Sequence, residues 1–158
     1  MRLQTSPSSI KISASIANRH TGKGKPSGVL HMGIPLNKRQ SELLGMLPKR
    51  GSSVIVKKTN VSMTDLAAIT AYTNREFAMF TKRGKRLIIR GGVDEVPVNT
   101  TYAEQLNREG YRWSGHTHPE TDELFMVSPE DKAILRCFDQ EFSSIYNPKG
   151  NFRVYGKN

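Results

Sequence analysis

From residue 53 onward, segments with the two-residue alternation of strands take turns with segments of helical period. That interleaving restricts the chain to a mixed α/β domain of about a hundred residues. SVIVKK (53–58) reads as a strand, and SMTDLAAITAYT (62–73) as a helix capped by Ser62 or Thr64, with Leu66, Ala67, Ile69 and Ala71 facing inward. EFAMFTKRGKRLIIRGG (76–92) is two β-rich runs around a Lys-Arg-Gly turn, a hairpin. VDEVPVNT (93–100) is a loop or an edge strand. TTYAEQLNREG (100–110) is a helix with Thr101 and Glu104 in capping-box spacing and Gly110 as terminator. YRWSGHTHP (111–119) is a strand, SPEDKAILRCFDQEF (128–142) a helix, and SSIYN with NFRVYG a closing hairpin. Cys137 falls in the helical pattern as a core residue; Tyr146 and Phe152 read as hairpin packing.

Residues 1–52 differ. They are rich in Ser, Gly, Lys and Pro and form a basic extension, partly irregular, ahead of the domain at 53–158. Within the extension SSIKISASI (8–16) alternates weakly as a strand, HTGKGKPSG (20–28) is a loop, and NKRQSELLGMLPKRG (37–51) is a short helix stopped by Pro48 and Gly51. Residues 1–60 hold eleven Lys or Arg and one acid, and the remainder balances thirteen against thirteen, so the whole net charge of +10 sits in the first part. The bases are scattered and lack interleaved aromatics. A solubilising leader, with His20 and His31 at its surface, fits better than a nucleic-acid arm.

No apolar run is long enough for a membrane span, and the N-terminus lacks the apolar stretch of a secretory signal, so a cytoplasmic location is expected. A single cysteine excludes an internal disulfide and a cysteine-rich zinc cluster.

The chemistry concentrates in HTHPETDELFMVSPED (116–131). On a strand, residues two apart share a face, so His116 and His118 can address one point, as a metal requires. Two surface histidines at a strand end are the plainer alternative. The completing carboxylate is open. Glu123 gives the spacing H-x-H-x₄-E, which resembles the first motif of cupins, but a helix start follows it and no later histidine is present. Asp131 stands three residues after Ser128, with Pro129 between, which is the pattern of a helix N-terminus. A carboxylate in that first turn can also face the loop carrying the histidines. Glu120, Asp122 and Glu123 read as a solvated loop, and Trp113 as core.

The order of these motifs resembles the JAMM (JAB/MPN-type) zinc metalloproteases, whose pattern is a distant Glu, then H-[ST]-H-P, then S-x-x-D. His116, Thr117, His118 and Pro119 match the histidine element, Ser128 and Asp131 the second, and Glu76 the distant acid. Nine residues separate His118 from Ser128, where the usual pattern has seven. REFAMFTKRGKRLIIRGG, YRWSGHTHP, SPEDKAILRCFDQE and SSIYNPKGNFRVYG further resemble bacterial JAB-type domains of polymorphic toxins, over residues 62–156.

The resemblance implies a deaminase-like α/β sandwich with a mixed sheet and flanking helices. It implies Zn²⁺ on His116, His118 and Asp131, Glu76 as general base toward a zinc-bound water, and Ser128 as donor to the oxyanion. The activity implied is hydrolysis of an amide or isopeptide bond in a protein or peptide substrate, a ubiquitin-like conjugate among them. As a toxin effector the domain would act in another cell and meet an immunity protein. The same fold also serves as a non-catalytic protein-binding module.

Overall fold

The structure is a computed structural model that describes residues 10–14, 34–121 and 125–158. Its centre is a six-stranded mixed sheet flanked by helices. In chain order the elements are β1 (Ile10–Ala14), α1 (Lys38–Gly45), β2 (Ser53–Lys57), α2 (Met63–Thr73), β3 (Phe77–Lys82), β4 (Lys85–Arg90), β5 (Glu95–Val96), α3 (Thr100–Arg108), β6 (Arg112–Thr117), β7 (Phe125–Val127), α4 (Pro129–Leu135), β8 (Phe142–Tyr146) and β9 (Phe152–Gly156). The strand order is β2-β4-β3-β6-β8-β9, antiparallel except where β6 and β8 run parallel. A smaller sheet, β5-β1-β7, is antiparallel throughout. No helix among the described residues is long and apolar enough to cross a membrane.

β3 is central and buried on both faces, so its side chains divide the core. Phe77 and Met79 join Leu43, Leu47, Val61, Met63, Leu66, Ile69 and Ile88 beneath α1 and α2. Ala78 and Phe80 join the cluster built from α3, α4, Trp113, Ile145 and Tyr155 on the other side.

Helix starts follow side-chain chemistry. α2 begins with a capping box between Ser62 and Asp65 and stops at Asn74, which takes the left-handed conformation (φ 59°). Asp65 then accepts from Arg39 Nη2 (2.9 Å) and Gln40 Nε2 (3.0 Å), which binds α1 to α2. Leu43 and Leu47, from the stretch read as basic extension, are therefore part of the core.

Several local expectations shift. The cap of α3 is Asn99, whose side chain accepts from Tyr102 N (2.9 Å), rather than the Thr101–Glu104 pair. An Asx side chain one residue before the helix satisfies an amide that a threonine already inside it does not. α4 ends at Leu135, well short of the stretch expected, because the chain turns there to enter β8. Ala71 is only half-buried, and β7 is a strand the periodicity did not suggest. Cys137 is partly buried beside the core. His20, His31 and the 20–28 loop, together with Asp122 and Glu123, lie outside the described residues.

Candidate functional site

Two features of β6 set the site. The first is a β-bulge. Met79 pairs with Gly115 but Phe80 pairs with Trp113, so Ser114 is an extra residue on β6. Strict alternation would put Trp113 and His116 on opposite faces. The bulge brings them to the same one, and the two rings stack at 5.2 Å with 15° between planes. Tyr155 meets the His116 ring edge-on at 6.4 Å. The imidazole is thus clamped by two aromatic side chains.

The second is close approach to β8. A Cβ on Gly115 would meet Ser144 Oγ and would lie 2.9 Å from the Ser144 carbonyl oxygen, so only glycine lets β6 lie there. The end of β6 is held on the opposite face. Thr117 Oγ1 accepts from Phe77 N (2.9 Å) and bonds Thr70 Oγ1 (2.6 Å), and His118 N donates to Tyr146 O (2.9 Å).

His116 pairs with Ala78 across the β3–β6 ladder. Extending that antiparallel register by two residues sets Glu76 across from His118, on the face that His116 occupies. Glu76 itself is anchored through its backbone: its N–H donates to Gly92 O (2.8 Å) and its carbonyl accepts from Gly91 N (2.7 Å). A glutamate opening a strand is ordinarily exposed, yet this one is fully buried, and both carboxylate oxygens lack a hydrogen-bond partner among the described residues. Burial pushes its carboxyl well above the usual range, and the charge of Asp131 adds to the shift.

The fourth group arrives from α4. Ser128 and Asp131 form a capping box: Asp131 N donates to Ser128 Oγ (3.0 Å) and Ser128 N to Asp131 Oδ2 (3.1 Å). The helix start is thus as expected, and Asp131 also faces His116. Asp131 Oδ1 lies 3.7 Å from His116 Nε2. Burial pushes the Asp131 carboxyl up to about 8, against the lowering effect of its bonds from Ser128. Both histidines are buried and held down to about 3, chiefly by desolvation, with His118 adding to the shift at His116. Neutral imidazole is the form that ligates metal.

The structure therefore brings Glu76, His116, His118 and Asp131 to one buried region at the end of β6, with Ser128 bonded beside Asp131. Glu123 lies outside the described residues. Glu120 is exposed, as a solvated loop residue would be, and its Oε1 also lies 2.6 Å from His118 Nδ1. The aromatic clamp on His116 also escaped the sequence reading, because the bulge that creates it has no periodic signature.

Among the described residues, no three His, Cys, Asp or Glu side chains are grouped so that they could hold a metal ion. The donor chemistry nevertheless fits a divalent ion. Both His116 ring nitrogens and Asp131 Oδ1 are buried without a hydrogen-bond partner among the described residues, and a buried polar atom left that way costs about 1–3 kcal/mol. Two imidazoles and a carboxylate are a zinc-type set. No protein-family model matches the chain, and no curated protein or solved structure matches it either.

Proposed function

We propose that the chain is a JAMM-like zinc-dependent peptidase or isopeptidase, in a deaminase-like variant of the mixed-sheet fold. One observation supports this above the rest: a glutamate, two histidines and an aspartate from three separate segments share one buried region, with the acid before β3 across from the histidines of β6. His116, His118 and Asp131 would hold the ion. A zinc ion so held supplies a Lewis acid that acidifies water and polarises an amide carbonyl.

The chain's own residues complete the reaction. Glu76, with its proton affinity raised by burial, takes a proton from the attacking water and passes it to the departing amine as the C–N bond breaks and the C–O bond forms. Ser128 bonds the Asp131 carboxylate in the metal-free protein, and its hydroxyl turns to the carbonyl oxygen as negative charge develops there. Trp113 and Tyr155 fix the plane of His116. Action as a toxin effector, with an immunity partner, belongs to the same proposal and rests on the sequence resemblance alone.

Elemental analysis of tag-free protein tests the assignment. Wild type is expected to carry one zinc, and His118→Ala none. Glu76→Gln is expected to retain zinc and lose peptide hydrolysis by at least about 100-fold; unchanged turnover would remove Glu76 as the base.

A non-catalytic binding module is favoured by a different observation: Asp131 already commits Oδ2 to the helix cap, and the ligands are not gathered at bonding distance. Retained zinc with no hydrolysis across a broad panel of peptides and ubiquitin-like conjugates selects that reading.

A further inference from the structure

We infer, on the peptidase reading above, that Thr117 is a positioning residue for Glu76: its hydroxyl holds the peptide bond that follows the acid, and so sets where Glu76 stands relative to the two histidines.

The backbone ladder between β3 and β6 ends at the pair Ala78 and His116. One residue further along, the tie between the strands passes to a side chain. Phe77 N donates to Thr117 Oγ1 (2.9 Å). The carbonyl of the same peptide unit, Glu76 O, accepts from Gly91 N (2.7 Å). That peptide is therefore gripped at both ends, by the segment after β4 on one side and by β6 on the other. A planar unit held at both ends resists rotation, and its plane fixes the Cα from which the Glu76 side chain leaves. The bond from Glu76 N to Gly92 O (2.8 Å) again runs to the segment after β4. Of these three bonds, the one through Thr117 ties the acid to the strand that carries the histidines.

The hydroxyl is itself held. Thr70 Oγ1 on α2 lies 2.6 Å from Thr117 Oγ1, either hydroxyl donating. Both threonines are fully buried. The branched Cβ of Thr117 restricts its χ1, so few rotamers compete with this one. Strand alternation turns Thr117 toward α2 while His116 turns to the opposite face. Thr117 thus holds the acid from behind, outside the space where a substrate carbonyl would sit. Any shift of Phe77 against β6 becomes a shift of Glu76 against the histidines, and a misplacement of about 1 Å can cost roughly 100-fold in rate.

The full-length, tag-free, zinc-loaded chain is assayed under single-turnover conditions, on the member of a fluorescence-quenched peptide library that wild type cleaves fastest. Thr117→Val keeps the volume and removes the hydroxyl. It is expected to slow the chemical step about 10–100-fold while peptide affinity stays within about twofold. Zinc affinity, read by competition with a chromophoric chelator, should stay within about threefold of wild type, because no ligand is altered. Thr117→Ser keeps the hydroxyl and should restore most of the rate. In a Glu76→Gln background Thr117→Val should cost nothing further, since a residue that acts through the acid has nothing left to position. Amide exchange in the metal-free protein reads the bond itself: Phe77 N–H should lose protection in Thr117→Val and keep it in Thr117→Ser.

A rate in Thr117→Val within about twofold of wild type overturns the inference, as does unchanged exchange at Phe77. A loss that persists in full beside Glu76→Gln, or that Thr117→Ser does not relieve, overturns it as well, because a general structural defect behaves that way. Zinc affinity weakened beyond about tenfold would assign Thr117 to the ligands instead of the base. Where Thr117→Val does not fold, Thr70→Val decides: a rate loss that vanishes beside Glu76→Gln supports positioning, and a wild-type rate overturns it. A wild type without zinc-dependent hydrolysis overturns the peptidase reading and this inference together. Hydrolysis intact with an indifferent Thr117 overturns the inference alone.

Discussion

A carboxyl group buried without a hydrogen-bond partner is held against its own solvation, and Glu76 and Asp131 Oδ1 are both placed that way among the described residues. The consequence is a pH signature in the metal-free protein. A carboxyl whose folded pKa is raised binds its proton more tightly folded than unfolded. Its contribution to stability is complete below the ordinary carboxylate range and is lost as pH rises through the folded value. For Asp131 that window runs from 3.8 to about 8, and Glu76 is shifted in the same direction. The histidines act oppositely. Lowered from 6.5 to about 3, they contribute above 6.5 and lose that contribution as pH falls through about 3.

Between pH 6.5 and 8 the fall in stability therefore belongs to the carboxyls. Each one still titrating there costs up to about 1.4 kcal/mol per pH unit. Asp131→Asn should flatten that fall in melts across this range. The same slope as wild type would mean that Asp131 ionises like an exposed aspartate. At this scale the sequence was informative where spacing carries geometry: His116 and His118 share a face because strand side chains alternate, and Ser128 and Asp131 share a helix turn. Glu76 was legible only through motif order, since nothing around it announces burial.

Elements were easier to place than their ends. The β3–β4 hairpin, α2, β6 and the β8–β9 hairpin follow from apolar period and turn residues, and Gly110 has the positive φ (98°) its terminating position requires. The start of α3 did not follow, because two polar residues competed for the cap and the rule was applied one position too far along. Asn99→Ala should cost about 1 kcal/mol in chemical denaturation, and Thr101→Ala should be nearly neutral. The reverse order would restore Thr101 as the cap.

The bulge at Ser114 was hidden for another reason. It is a mismatch between β3 and β6 rather than a property of either strand alone, and Thr81 Oγ1 bonds Ser114 Oγ (2.6 Å) across it. A reading of one strand at a time treats residues 113 and 116 as facing apart. The pairing turns them to one side, and the candidate site depends on that turn.

Across the molecule, the least legible feature was where the domain begins. The change in composition near residue 52 suggested a boundary there, because charge and glycine content dominate the first part of the chain. Packing draws the line differently. Leu47 is fully buried and Leu43 nearly so. Arg39 and Gln40 satisfy Asp65, and Arg90 Nη1 donates to Leu47 O (2.7 Å). The backbone of Gly51 donates to Arg90 O (2.8 Å). These contacts run from α1 to α2 and β4, elements that also carry Glu76's neighbours and the lower core. Leu47→Ala should therefore cost about 2–5 kcal/mol, the range for truncating a buried leucine, although it lies in the stretch that composition assigns to a leader. A substitution costing under about 0.5 kcal/mol, as surface positions do, would return α1 to the extension and leave the sheet's α2 face covered by α2 alone.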